Sequence, residues 1–111
     1  MKQSVQTELK SAKQAIADNA EAFELYYKEL VSWNEKINLT AITERNDVYI
    51  KHFEDSLALL DVLDLNKGAS LIDIGSGAGF PGLALKAGGC MADITLRDST
   101  RKRLDFLQHM S

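Results

Sequence analysis

The sequence predicts an α/β fold: an N-terminal helical stretch, then the opening strand–helix–strand unit of a parallel sheet. Three observations predict it. Leu71, Ile72 and Ile74 form a short apolar run rich in β-branched residues, which reads as a buried strand. Gly75, Gly77, Gly79 and Gly82 follow at once, so four of the chain's seven glycines sit in eight residues. Pro81 among them suits the first turn of a helix, where its missing N–H costs nothing. The run from Ala92 to Asp98 then alternates like a second strand, with Ile94 and Leu96 on one face.

Ahead of that unit the pattern is helical. Within residues 1–17 the apolar positions are Val5, Leu9, Ala12 and Ile16, spaced for a helix with a thin apolar face. Asp18 or Asn19 is placed to cap the helix that follows. From Ala20 to about Lys36, Phe23, Tyr26, Tyr27, Leu30 and Val31 fall at i, i+3, i+4, i+7 and i+8, an amphipathic helix whose aromatic face reads as core. Trp33 to Thr40 ends it and turns the chain, with Asn38 and Thr40 as turn formers. A further helix is predicted from Arg45–Asp47 to about Leu63. Tyr49, Phe53, Leu57 and Leu60 give it one face, widened by Ile50, Ser56 and Leu63. Asn66-Lys67-Gly68 is the turn into the first strand. After Gly82, Leu83, Ala84, Leu85 and Ala87 continue a short helix that Gly88 and Gly89 end.

Strand, glycine turn and helix start is the geometry that brings backbone N–H groups close to a bound ligand. Two cofactor classes fit it. Gly77-Ala78-Gly79-Phe80-Pro81-Gly82 matches the dinucleotide pattern G-x-G-x-x-G. Asp73-Ile74-Gly75-Ser76-Gly77-Ala78-Gly79 matches the D-x-G-x-G-x-G motif of S-adenosylmethionine-dependent methyltransferases. Asp73 separates them: a carboxylate at the strand end repels pyrophosphate and favours a ligand that carries an ammonium and a sulfonium. Asp98 is the second acid, 19 residues after Gly79. In a βαβ unit it stands at the tip of the neighbouring strand, where it can accept both ribose hydroxyls. Asp98, Ser99 and Thr100 are also helix-capping types, and the two roles can coexist with Ser99 as the cap. The candidate cofactor residues are therefore Asp73, Gly75, Ser76, Gly77, Gly79 and Asp98.

The rest of the composition narrows the field. The chain has 111 residues, 45% hydrophobic and 26% charged, as in ordinary globular domains. No apolar run approaches membrane-spanning length, and the N-terminus lacks the apolar core of a signal peptide. The single cysteine, Cys90, cannot form an internal disulfide and reads as a small buried residue, which favours a cytoplasmic location. No His, Cys and carboxylate cluster has metal-ligand spacing, so no metal is expected. The net charge of −3 does not advertise nucleic-acid binding. Arg97, Arg101, Lys102 and Arg103 form a local basic run that reads as phosphate contact or as a solvated helix face. His52, Asp55 and Ser56 share one short helical segment without an oxyanion loop. They read as a hydrogen-bonded cluster joining this helix to the unit behind it, not as a hydrolase triad. A doubly wound cofactor domain needs roughly five strands or more, and only two are clear in this chain. The sequence also stops inside a helical pattern, so it is expected to be the front part of a larger protein.

Four motifs together resemble one family. They are Trp33-Asn-Glu-Lys-Ile-Asn-Leu-Thr40, His52-Phe-Glu-Asp-Ser-Leu57, Asp73-Ile-Gly-Ser-Gly-Ala-Gly-Phe-Pro-Gly82, and Asp98-Ser99 with Lys102-Arg103 and Phe106-Leu107. In order and spacing, over about residues 20–110, they are similar to the bacterial small-subunit ribosomal RNA methyltransferase G family, also called glucose-inhibited division protein B. The resemblance implies a Rossmann-like S-adenosylmethionine-dependent methyltransferase fold, here its first βαβ unit (68–111), behind an N-terminal helical extension (1–67). It implies transfer of a methyl group from S-adenosyl-L-methionine to N7 of a guanine in the 530 loop of 16S rRNA, with the small ribosomal subunit as partner. It places Gly75 at the methionine end of the cofactor, Phe80 on the pocket wall and Asp98 at the ribose. Residues 86–92 and Arg97 depart from the family's usual pattern. The family's adenine-side residues and a later arginine have no counterpart in residues 1–111, so the fragment is expected to be inactive alone. Two other readings stay open. One is a fragment of a NAD-type oxidoreductase, against which Asp73 and the Trp33–Thr40 block stand. The other is a non-enzymatic truncated module whose uncovered sheet face would self-associate.

Overall fold

The computed structural model describes residues 12–63, 68–75 and 77–110. Val5, Leu9, Asn66 and Lys67 lie outside them. Residues 12–18 are helical, and helix α1 (Ala20–Asn34) follows after a break at Asn19. Asn19 does not cap α1 with its side chain. Its amide donates to the Ala15 carbonyl at 2.9 Å, and its backbone N–H donates to Ala15 and Ile16, so it closes the helix before it. The aromatic face of α1 is core as expected: Phe23, Tyr26 and Leu30 are buried.

Helix α2 begins at Arg45–Asp47, widens into π-helical turns over Val48–Glu54, and returns to α geometry at Asp55–Leu57. The Glu44 carboxylate caps its start by accepting the Asp47 N–H at 3.0 Å. A short helix α3 (Leu59–Val62) completes the stretch after Ala58. The π turns correct the predicted face. Hydrogen bonds from i to i+5 bring residues five apart to the same side, so Val48 and Phe53 are buried together, with Leu57 one turn on. The α period places Ile50 and Leu63 on the core face, but they remain 56% and 42% exposed.

Strands β1 (Ser70–Ile74) and β2 (Asp93–Arg97) pair in parallel, with Leu71 opposite Ile94 and Asp73 opposite Leu96. Helix α4 (Gly82–Ala87) connects them, and α5 (Arg101–Met110) follows β2. The end of α4 is a Schellman motif: Cys90 donates to the Leu85 carbonyl and Gly89 to that of Lys86. Helix α4 lies on the face that carries Leu71, Asp73, Ile94 and Leu96. The opposite face presents Ile72 at 58% and Ile74 at 81% exposure. The expectation of a buried β1 is therefore corrected. An apolar strand of a parallel sheet needs cover on both faces, and the described residues supply it on one.

One core joins the helices to the βαβ unit. The Phe53 ring packs 4.9 Å from Phe23, 5.0 Å from Tyr26 and 5.8 Å from Phe80, and Trp33 meets Phe106 of α5 edge-on at 5.6 Å. Burial of a side chain like Phe53 contributes ~1.5–3 kcal/mol. Among the described residues, no helix is long and apolar enough to cross a membrane, and no group of three or more His, Cys, Asp or Glu could hold a metal ion.

Candidate functional site

Parallel pairing carries β1 one step past Ile74, because the Gly75 N–H donates to the Arg97 carbonyl at 2.7 Å. Turns over residues 77–81 then lead into α4. Gly75 has φ +75°, and a Cβ on it would meet no atom within 4 Å, so the space outside the loop tip is open. Gly79, at φ +96°, is closed in: a Cβ there would strike the Tyr26 hydroxyl and lie 2.8 Å from Cβ of Leu83. Gly82 is closed in as well, against Leu96 and the Asp73 carboxylate. Ser76 lies outside the described residues.

The two acids meet the two ends of the loop. Asp98 Oδ2 accepts the Gly77 N–H at 2.9 Å, and its Oδ1 accepts the Thr100 N–H at 2.8 Å. The second bond is an Asx turn, since Asp98 stands ahead of Thr100, the residue that flanks α5. Backbone hydrogen bonding from Thr100, then from Gly77 and the charge of Arg103, holds the Asp98 carboxyl below its usual 3.8 against a smaller opposing effect of burial. It is therefore ionised at neutral pH, a carboxylate that only accepts hydrogen bonds. Asp73 lies beneath the loop, where its Oδ2 accepts the Gly82 N–H at 2.9 Å. Its charge, after the larger effect of burial, helps to raise the Tyr26 phenol well above its usual range.

Phe80 is held between two rings from the helical region. Tyr26 stacks on it at 5.5 Å and 9°, and His52 at 4.3 Å and 13°. The Tyr26 hydroxyl donates to the buried Ala78 carbonyl at 2.6 Å. The His52 Nε2 is hydrogen-bonded to Thr40 Oγ1 at 2.9 Å. Thr40 is fixed in turn: Asn34 Oδ1 accepts the N–H of Leu39 and of Thr40, and Thr40 Oγ1 accepts the Ile42 N–H. Burial lowers the His52 pKa, with Asp55 opposing, so the imidazole is neutral at neutral pH. His52 joins its helix to the unit behind it through Phe80, and its hydrogen-bond partner shown here is Thr40, not the Asp55 and Ser56 of the expected cluster. A cleft of about 440 Å³ opens beside this stack, with Lys51, His52, Asp55, Ser56, Phe80 and Pro81 among its walls.

Arg101 pairs with Asp105, the Arg103 guanidinium reaches the Asn38 carbonyl, and Arg97 is exposed on the uncovered face of the sheet. The structure thus brings Gly75, Gly77, Gly79, Phe80, Asp73 and Asp98 together around one loop. It adds Tyr26, Thr40 and His52, which the sequence reading assigns to core, turn and cluster. Thr40 and His52 lie in the Trp33–Thr40 and His52–Leu57 motifs, whereas Tyr26 carried no signal beyond its place on the aromatic face of α1.

Residues 19–111 match the family described as rRNA small subunit methyltransferase G. The chain is 52% identical over 89 residues to the ribosomal RNA small subunit methyltransferase G of Macrococcus caseolyticus (strain JCSC5402), a match covering 80% of this chain and 37% of that protein. It is 50% identical over 91 residues to the protein of that name from Bacillus velezensis (strain DSM 23117 / BGSC 10A6 / LMG 26770 / FZB42), covering 82% and 38%. Against the Streptococcus uberis (strain ATCC BAA-854 / 0140J) protein the figures are 52% over 92 residues, 82% and 39%. The chain thus spans less than two fifths of the length of these relatives. With the Trp33–Thr40 block, the glycine loop and Asp98 inside the matched region, the chain belongs to the rRNA small subunit methyltransferase G family.

Proposed function

We propose that residues 68–111 are the start of a Rossmann-like methyltransferase domain, that residues 1–67 are its helical extension, and that the site around the glycine loop takes S-adenosyl-L-methionine. The reaction is methyl transfer to N7 of a guanine in 16S rRNA, in the cytoplasm. The observation that carries this reading is the open, positive-φ tip at Gly75 beside the ionised Asp98. Bound there, the cofactor supplies a methyl group activated on a sulfonium. Gly75 would present bare backbone to its methionine end, and the Asp98 carboxylate would accept from its ribose hydroxyls. Asp73 adds negative charge near a cationic ligand, Gly77 and Gly79 set the loop's path, and Ser76 joins the site by sequence alone. Phe80 walls the pocket, and the cleft on its other side is the space for the acceptor base.

N7 of guanine carries a free lone pair at neutral pH, so the protein has no proton to remove. Its task is orientation, holding the nucleophile in line with the methyl group. N7 faces the deep groove of paired RNA, which fits a looped-out or flipped guanine. In this reading the chain supplies the methionine and ribose sides of the site. Calorimetry with S-adenosylhomocysteine tests the reading. Wild type binds, and Asp98→Ala binds about tenfold more weakly or worse, the scale of lost charge-assisted hydrogen bonds. Unchanged affinity removes Asp98 from the site. No binding by a folded wild-type chain, or equal binding of NAD, sinks the cofactor assignment.

A further inference from the structure

We propose that His52 is a positioning residue for the glycine loop: it ties the Thr40 turn to Phe80 and so fixes the path from Gly77 to Gly82. The role builds on the cofactor reading above, because that path presents the Gly75 tip and the Asp98 carboxylate to the ligand.

The geometry has four links. The Asn34 carboxamide oxygen accepts two backbone N–H groups, at 2.8 Å and 3.0 Å, and sets the turn at Thr40. The Thr40 hydroxyl sets the His52 ring through its 2.9 Å bond to Nε2. His52 then lies on Phe80 at 4.3 Å and 13°, closer than the 5.5 Å of Tyr26 or the 5.8 Å of Phe53. Phe80 stands in the middle of the loop, between Gly79 and the Pro81 that precedes α4. Glycine-rich backbone has little stiffness of its own, so its conformation is set from outside. On one side, Tyr26 holds the Ala78 carbonyl. On the other, His52 holds the Phe80 ring. The two acids then lock to the loop's ends, Asp98 to the Gly77 N–H and Asp73 to the Gly82 N–H.

An imidazole suits this position for two reasons. A flat ring is needed for the stack, and a nitrogen on its edge is needed for Thr40. Phenylalanine would give only the first. A site held within a fraction of an ångström needs such support behind the residues that touch the ligand. The Trp33–Thr40 and His52–Leu57 motifs are then parts of the cofactor loop's support, far from it in sequence and adjacent in space.

Amide hydrogen exchange on this chain tests the proposal without any ligand. The Gly77, Gly82 and Leu83 amides are each hydrogen-bonded across the loop, to Asp98, Asp73 and the Gly79 carbonyl, so their protection reports its closed form. His52→Ala is expected to speed their exchange about tenfold relative to the amides of β1 and β2, the scale of a lost ring stack and hydrogen bond. His52→Phe restores part of the protection, and Thr40→Val, which leaves the ring in place, loses part. Affinity for S-adenosylhomocysteine falls in the same order. Loop amides at wild-type rates in His52→Ala, or acceleration spread evenly over the whole chain, overturn the proposal. Equal rates in His52→Phe and His52→Ala do so too. Should His52→Ala not fold, Thr40→Val decides: faster loop amides with unchanged sheet amides support the role, and unchanged loop amides reject it. If wild type binds no S-adenosylhomocysteine, the cofactor reading fails and the exchange comparison still decides the role of His52.

Discussion

At the loop tip a Cβ on Gly75 would find nothing within 4 Å. Four residues on, a Cβ on Gly79 would run into the Tyr26 hydroxyl and lie 2.8 Å from Leu83. Both residues sit at positive φ, and both belong to the same D-x-G-x-G-x-G pattern. They are glycine for different reasons. Gly75 leaves room on the outside, where a ligand can approach the backbone. Gly79 leaves room on the inside, where α1 and α4 close on the loop. The tip is a surface kept clear, while the floor is a packed joint in the core. A glycine motif therefore mixes two kinds of constraint that spacing alone does not separate.

Substitution at the floor has the largest expected effect. Gly79→Ala combines overpacking against Tyr26 and Leu83 with a left-handed backbone, a cost of about 3 kcal/mol or more. Stability of small domains is only about 5–15 kcal/mol, so the urea midpoint should fall steeply. Gly75→Ala meets no clash and bears only the backbone term, about 1–2 kcal/mol. Its larger loss is expected in affinity for S-adenosylhomocysteine, by roughly tenfold or more, since the added methyl group would enter the space proposed for the ligand. Equal destabilisation by the two variants would erase the distinction between tip and floor.

Tyr26→Phe sharpens the comparison from the helix side. It keeps the ring on Phe80 and removes the hydroxyl that bonds the Ala78 carbonyl, leaving a buried acceptor without its donor. The expected cost is about 1–2 kcal/mol, read as a lower urea midpoint with the fold intact. A neutral result would mean that the stack alone holds the floor.

Much of this was legible in the sequence because it is local. The aromatic stripe of α1, the two strands, the Schellman end of α4 and the place of Asp98 at the end of β2 all follow from periods and turn residues within a short window. The π turns of α2 were hidden because a pattern read at 3.6 residues per turn assigns Ile50 to the core and misses Val48. The exposure of Ile72 and Ile74 was hidden because a β-branched run states what could be buried and not whether a cover is present. The joint beneath the loop was hidden for another reason. Tyr26 and Ala78 lie 52 residues apart, and Thr40, His52 and Phe80 come from three elements. No period links them. Read on its own, the Trp33–Thr40 block ends a helix and turns the chain.

The smallest expected effect is one of pH, and it also divides floor from tip. Burial holds the His52 pKa below its usual 6.5 in the folded chain, on the floor side. The unfolded chain then takes up that proton first as pH falls. The stability due to neutral His52 is complete above about 6.5 and is lost progressively as pH drops below it, towards the folded value. Asp98, at the tip, works in a lower window. Its hydrogen bonds hold it below the usual 3.8, so its contribution is complete above that value and lost as pH falls further. Urea midpoints between about pH 7 and 5 should therefore decline slightly in wild type and less in His52→Phe, which has no proton to gain. Below about pH 4 both chains should weaken alike, as the carboxylates protonate. Identical slopes for the two chains between pH 7 and 5 would mean that the imidazole is not held neutral between Thr40 and Phe80.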